Sequence, residues 1–473
     1  MGKRKDSRKS ARKKAKTEQA VNGETLRGAV GWAVDAKIFT SLKFHGNTKW
    51  QVLDLIVLTV VWVWSASPQL TGAFVEASHW SKRVLGRVAV TTYQGMLGAL
   101  VTWTPQLLPL LWDRLHELMQ EYGGKHWRVG RWLPLAVDGS RVSVPRSENN
   151  EKQLCAPNYG KSATAKYRRK KRKKAGSRRR SKKPEPVKPQ IWITLLWHMG
   201  LQMPWSWWKG PSNSSERVHL QRMIASQNFP ENTLFCADAG FTGYEFWKGI
   251  ADARHAFLIR VGANVNLLRK LGYVRERAGI VYCWPEEAAR KQQPPLTLRL
   301  LSLRVGRCKM HLLTNVLDAK LLTANEARRL YQFRWGVELQ FRTMKQTFGR
   351  RKLRSRRPDR AYVELDWSLI GLWIIQLFAV KEQIKIGEVP EQCSVSLAIQ
   401  VVRTTFQRWS ERPEIDFWEQ IRRATKDAYK RKKSKTARYK PNYKDKPTAG
   451  EPNVRSATKK HKALLRRHLR AAA

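Results

Sequence analysis

Carboxylates are scarce in this chain, 37 Asp and Glu against 91 Lys and Arg, so an acid in an unusual setting stands out. Asp138 closes the apolar run Leu133 to Val137 and precedes Gly139; Asp238 closes LFCA and precedes Ala239, Gly240 and Phe241. Either aspartate alone reads equally well as a turn former that caps the backbone. Two strand-end aspartates on neighbouring strands would repel each other unless a cation lay between them. Hard oxygen ligands of that kind suit Mg²⁺, which keeps water and substrate phosphate as its other ligands. The pair is then half of a two-metal phosphoryl-transfer site.

A third acid comes from YQFRWGVELQFRTMKQTFG, where Tyr331, Arg334, Glu338 and Lys345 recur at offsets of 0, 3, 7 and 14. On one helix, at about 100° per residue, these point to roughly 0°, 300°, 340° and 320°, a single narrow face. The plainer reading is a solvated stripe in which Glu338 pairs with Arg334 or Arg342, worth a few tenths of a kcal/mol. Trp335 and Phe341 beside the stripe point instead to a partly buried helix. Glu338 can complete the metal site, while Arg334 as a bidentate fork and Lys345 as a point charge hold a neighbouring phosphate.

These residues need rigid elements to bring them together. WLPLAVDGS, RVSVPRS, QIWITLLWHMG and NTLFCADAGF are short β-branched or aromatic runs bounded by Gly, Pro and Ser, which predict strands, with a helix over 214–225 before the last of them. More strand-like runs fill 256–320, and a long helical pattern starts at Thr323. From Ser41 to Gly130 the chain is apolar with few breakers and ends in a glycine pair suited to a helix C-cap, which predicts a mostly helical domain. No internal repeat is present.

With the motifs placed, the chain resembles the DDE transposases of bacterial insertion sequences. Tyr331, Arg334, Glu338 and Lys345 match that family's Y-x2-R-x3-E-x6-K signature, the YREK group, and the segments around Asp138 and Asp238 look like its first and second acid motifs. The resemblance covers about Leu133 to Val380. It implies an α/β catalytic domain of RNase H-like type, a mixed sheet with flanking helices, plus a β-rich insertion between the second and third acids. It further implies that Asp138, Asp238 and Glu338 bind two Mg²⁺ ions, with Mn²⁺ able to substitute, and that Tyr331, Arg334 and Lys345 contact phosphates near the transposon end. The partners implied are the terminal inverted repeats, target DNA and a second copy of the chain in the active complex. The expected reaction is cleavage at the element's ends followed by joining of the 3′-OH to target DNA. A related nuclease without strand transfer and a non-catalytic DNA-binding protein on the same fold are the rival readings. No base-flipping role is carried over to Trp284, because the insertion looks short.

The expected organisation is a basic tail over 1–23, a helical DNA-binding domain over 24–130, and the catalytic domain over 131–380, with a basic loop at 162–189 and the insertion at 256–320. A helical region over 381–425 and a second basic tail over 426–473 follow. The formal net charge is +54 and the pI about 10.7, which favours polyanion partners. The densest cationic block runs from Lys166 to Lys183, inside the expected catalytic domain. Apolar stretches such as Leu53 to Trp64 and Leu369 to Val380 fall short of the roughly 18 to 20 residues a membrane span needs. No apolar run follows the basic residues at the N-terminus, which excludes a secretory signal, so a cytoplasmic, nucleoid-associated location is expected. Cys155, Cys236, Cys283, Cys308 and Cys393 form no CxxC pair, arguing against a disulfide framework or structural zinc. His198 and His219 read as hydrogen-bonded structural residues, Asp366 as a weaker rival to Glu338, and the Trp-rich segment 203–213 as core packing.

Overall fold

The computed structural model describes residues 26–44, 48, 50–155, 188–305, 308–408, 417–426 and 450–472. The expected tail over 1–23 and the Lys166 to Lys183 block lie outside the described residues. Four helices come first: α1 (26–33), α2 (Val52–Trp64), α3 (Leu70–Leu85) and α4 (Tyr93–Gly123). A helix apolar all round must be buried. Accordingly α2 is buried from Asp54 to Trp64.

Next come β1 (Leu133–Ser143), α5 (Glu148–Leu154), β2 (Gln190–His198), β3 (Met203–Pro211), α6 (Glu216–Ser226), β4 (Thr233–Ala237), α7 (Tyr244–Asp252) and β5 (Ala256–Val261). In space their order is β3-β2-β1-β4-β5. The first three strands pair antiparallel, while β4 and β5 run parallel to β1. This mixed α/β sheet with helices packed against it is the RNase H-like arrangement. The Trp-rich segment is strand β3, with Trp205 and Trp207 buried in the core.

The strands β6 (Asn266–Arg269), β7 (Ile280–Cys283), β8 (Leu296–Val305) and β9 (Cys308–Thr314), with the short helix α8 (Glu286–Arg290) after β7, extend this sheet through β9 on β5. The insertion therefore follows β5 instead of starting at Ala256. Ladder hydrogen bonds to β4 make β5 a core strand, a distinction that two equally apolar runs do not carry in their sequence.

The helical pattern after Thr323 is broken. It comprises α9 (Ala324–Phe333), α10 (Gly336–Arg342) and one π turn (Thr343–Thr347). Thr323 and Glu326 cap α9 reciprocally, each satisfying a backbone N–H at the helix start. Then comes α11 (Pro358–Lys385), followed by α12 (Val395–Arg408) and α13 (Phe417–Arg422).

Helix α11 is the hub. By length and composition it is apolar enough to cross a membrane, contrary to the expectation from segment length; its apolar stretch is entirely buried inside the protein. The expectation stopped at Val380 and at polar interruptions that are satisfied internally. Asp366 accepts from Trp207 Nε1 at 2.9 Å and pairs with Lys209, while Glu364 accepts from the backbone N–H groups of Arg354 and Ser355. The first helices are tied to it directly: Trp64 Nε1 donates to Gly371 O at 2.9 Å and Trp367 Nε1 to Thr104 Oγ1 at 2.8 Å. One hydrophobic core runs from Leu26 in α1 to Leu465 near the far end of the chain.

Residues 450–472, expected to be part of a basic tail, hold β10 (Asn453–Ser456), which pairs parallel with β6, and α14 (Lys459–Ala472). Leu464, Leu465 and Val454 supply the apolar anchors that charge density concealed.

Candidate active site

The ladder between β1 and β4 sets the two aspartates. Ala136 stands opposite Cys236, the last rung before the strands part, and Asp138 and Asp238 each lie two residues further on. They share one level on adjacent parallel strands. Asp138 is not at a strand end: β1 continues to Ser143, paired with β2, and Asp138 faces Leu195 in that ladder. Asp238 directly follows β4, and its Oδ1 accepts from Gly240 N at 2.8 Å.

Glu338 comes in on α10. This helix can approach because position 336 is glycine: a Cβ there would lie 1.9 Å from Cη2 of Trp197 on β2. Gln340 and Gln376 exchange reciprocal amide hydrogen bonds at 2.9 and 2.8 Å, fixing α10 to α11. The uniform-helix arithmetic fails over this stretch, because the chain bends at Arg334 and Trp335 and the π turn then adds about one residue to the turn. Trp335 is consequently exposed while Phe341 is buried.

The stripe residues nevertheless converge. Arg334 is buried, donates to Glu338 Oε1 at 2.9 Å and lies 5.6 Å from the Tyr331 ring centre. Lys345, brought round by the π turn, donates to Ser140 Oγ on the face of β1 that carries Asp138. Arg342, at the end of α10, is exposed.

Electrostatics link the group. Burial, reinforced by Asp238 and Glu338, pushes the Asp138 carboxyl up to about 6, with Arg334 opposing. Burial also raises the Tyr331 phenol to about 12, with Asp238 adding to the rise. Burial works against the Arg334 charge, yet Tyr331, Glu338 and Asp138 outweigh it and hold its pKa above the usual value. Lys345 is lowered by burial, and Asp138 partly compensates.

One acid escaped the sequence reading. Glu216, the first residue of α6, lies over Gly139, and burial followed by Asp138 and Asp238 pushes its carboxyl to about 7. The available signal was a carboxylate opening the helix after the third strand, easily taken as an ordinary favourable partner for the helix N-terminus. The residues set aside are accounted for. His198 Nε2 bonds to Trp127 O at 3.0 Å, His219 Nδ1 to Thr194 Oγ1 at 2.9 Å, and Asp366 is committed to β3. Trp284 is buried, with Nε1 donating to Gln293 O.

The family model for the transposase DDE domain matches residues 133–374, just over half of the chain. This chain belongs to the DDE transposases. The match begins at the first residue of β1 and ends within α11, so it contains all the elements that position the site in this DDE transposase. Transposase InsG for insertion sequence element IS4 of Escherichia coli (strain K12) is 31% identical over 199 residues, covering 40% of this chain and 44% of that protein. The matched part is thus less than half the length of that relative. Among solved structures, the cryo-EM structure of piggyBac transposase synaptic complex with hairpin DNA aligns over 86% of this chain and 84% of that one, at 13% identity and a TM-score of 0.36. That score is too low for the alignment to carry fold or function across.

The donor chemistry of this DDE transposase suits a hard divalent cation: Asp138 is a partly buried carboxylate whose pKa is raised first by burial and further by the neighbouring Asp238 and Glu338. As the side chains lie, Arg334 takes up the charge of Glu338, and among the described residues no three His, Cys, Asp or Glu groups are gathered tightly enough to hold an ion. Arg334 can in turn serve a second acceptor, because its buried Nε lacks a hydrogen-bond partner.

Proposed function

We propose that the chain is a DNA transposase that cleaves the ends of its element and joins the freed 3′-OH to target DNA. The observation that carries this reading is Arg334: a buried guanidinium, with one N–H lacking an acceptor, set between Glu338 and Asp138. A phosphate oxygen is the acceptor that such a fork accommodates.

In this reading Asp138, Asp238 and Glu338 hold two Mg²⁺ ions, for which Mn²⁺ can substitute, and bound ions would stabilise the attacking and leaving oxygens of an in-line displacement at phosphorus. Arg334 gives up its pairing with Glu338 and turns to the scissile phosphate. Lys345, held against β1 by Ser140, neutralises a second phosphate. Tyr331, its hydroxyl protonated at neutral pH, donates a hydrogen bond and does not attack. The terminal repeats, the target duplex, a second copy in the active complex and a cytoplasmic, nucleoid-associated site of action complete the proposal. The +54 net charge supports a polyanion partner.

The test uses labelled duplex carrying the element's own end. Asp138→Ala, Asp238→Ala and Glu338→Ala should each abolish cleavage while end binding persists, since none of the three is a cationic contact. Near-normal cleavage by any one removes that residue from the site. Strand joining by the wild type separates a transposase from a nuclease that only cuts.

A further inference from the structure

Helix α14 is anchored by one face and cationic on the other. His461, Leu464, Leu465 and His468, at offsets of 0, 3, 4 and 7, form the inner stripe, and the His468 ring meets Trp284 edge-on at 6.5 Å. Thr458 caps the helix start through His461, and β10 fixes the approach, with Asn453 Nδ2 donating to Asn266 Oδ1 at 2.8 Å. The outer face carries Lys459, Lys460, Lys462, Arg466, Arg467 and Arg470, all exposed.

No acid occurs anywhere in this helix, and among the described residues none of the six cations enters a salt bridge. Elsewhere surface cations pair with acids one turn away, as Lys248 does with Asp252 and Lys291 with Glu287. Lys462, Arg466 and Arg470 instead stack at successive i, i+4 positions, where like charges destabilise a helix. The fold thus holds an uncompensated row of charge in a defined place, and a polyanion would relieve it.

We propose that the outer face of α14 docks the phosphate backbone of the duplex whose end is held at Asp138, Asp238 and Glu338. This rests on the transposase reading above. The commitment to that duplex follows from the sheet. From β4, which Asp238 directly follows, to β10 there are six strand steps in one continuous sheet. At about 4.8 Å per step the lateral separation of these two strands is about 29 Å, the rise of about eight base pairs. A duplex that runs from the acids across the sheet reaches the β10 edge, from which α14 leads off, within about one helical turn of the cut.

The test compares full-length wild type with R466Q/R467Q/R470Q and the charge-retaining R466K/R467K/R470K. The probe is a 40-base-pair duplex carrying the element's own end, with hydroxyl-radical footprinting and binding measured against KCl concentration. The glutamine variant should lose protection at one patch within about ten base pairs of the cut, bind about ten-fold or more weaker, and flatten the slope of log affinity against log salt by about 2 to 3, at about 0.9 per phosphate contact. The lysine variant should match wild type. An unchanged footprint and slope overturns the proposal. So does weakening spread evenly along the duplex, which marks a diffuse charge field, or a loss confined to a separate target duplex. Wild-type cleavage of the same probe checks the transposase reading independently: protein that binds but does not cut defeats that reading and leaves the α14 surface to be judged by its footprint.

Discussion

The carboxylate of Glu216 rests on the backbone of Gly139 so closely that a Cβ at that glycine would lie 2.4 Å from Oε1. The glycine after the first acid is therefore the floor on which a fourth carboxylate stands. Gly139→Ala should displace α6 or β1, lowering the melting temperature by several degrees and cleavage by about ten-fold or more. Because the clash is with one flexible side chain, Gly139→Ala combined with Glu216→Ala should recover the melting temperature but not the activity. A double variant as unstable as the single one would place the strain elsewhere.

The raised acids make the metal-free protein sensitive to pH. Asp138 titrates near 6 and Glu216 near 7, each chiefly through burial and then through neighbouring acids. In the folded state they retain protons that the unfolded chain has already released, so their contribution is favourable below about 4 and is lost as the pH rises through 6 to 7. For Asp138 the loss is on the order of 2 to 3 kcal/mol. Thermal melts in chelator should show stability falling from pH 5 to pH 8, and Asp138→Asn should flatten that fall. An unchanged pH slope in the variant would mean that Asp138 is not the group responsible.

Gly336 lets α10 pack onto β2, and a Cβ there would strike the ring of Trp197. Gly336→Ala should cost about 1 to 3 kcal/mol, the usual range for overpacking, in chemical denaturation. Trp197→Phe in the same chain should relieve part of that cost. Equal stability of Gly336→Ala and wild type would show that α10 shifts freely, and with it Glu338.

Arg334 and Arg342 differ by two turns of sequence and by their whole environment, one buried beside Glu338 and the other exposed. Loss of a charge-assisted contact costs roughly 1.5 to 3 kcal/mol. Arg334→Ala should therefore weaken end complexes or slow cleavage about ten-fold or more, whereas Arg342→Ala stays within two-fold or so. Similar losses from both would point to general charge as the cause.

The parts of this molecule that could be read from residues alone are those governed by local rules. The strand–Asp–Gly runs, the capped start of α9 and the Tyr331 to Lys345 spacing all reflect short-range patterns, and the structure brings those side chains into one place. What escaped depends on contacts distant in sequence. Glu216 is an unremarkable helix opener until β1 lies beneath it. The π turn before Phe348 has no compositional marker, so offsets summed at a uniform angle miss both the bend at Arg334 and Trp335 and the extra residue of that turn. Residues 450–472 look like a polycationic tail because their anchors, Val454, Leu464 and Leu465, are few and their partners, β6 and Trp284, lie far upstream.

Burial of α11 has a consequence for the making of the protein. The segment Pro358–Lys385 carries an apolar stretch as long as a membrane span, and part of its cover is α2 and α4, whose hydrogen bonds to it join residues 263 and 307 positions apart. On the ribosome those helices emerge first and present an unfilled greasy cleft until α11 arrives to close it. A nascent chain paused between the two, or a fragment lacking 52–123, leaves one partner bare. Chaperone dependence and membrane mis-sorting should therefore track the integrity of a contact remote from the catalytic acids.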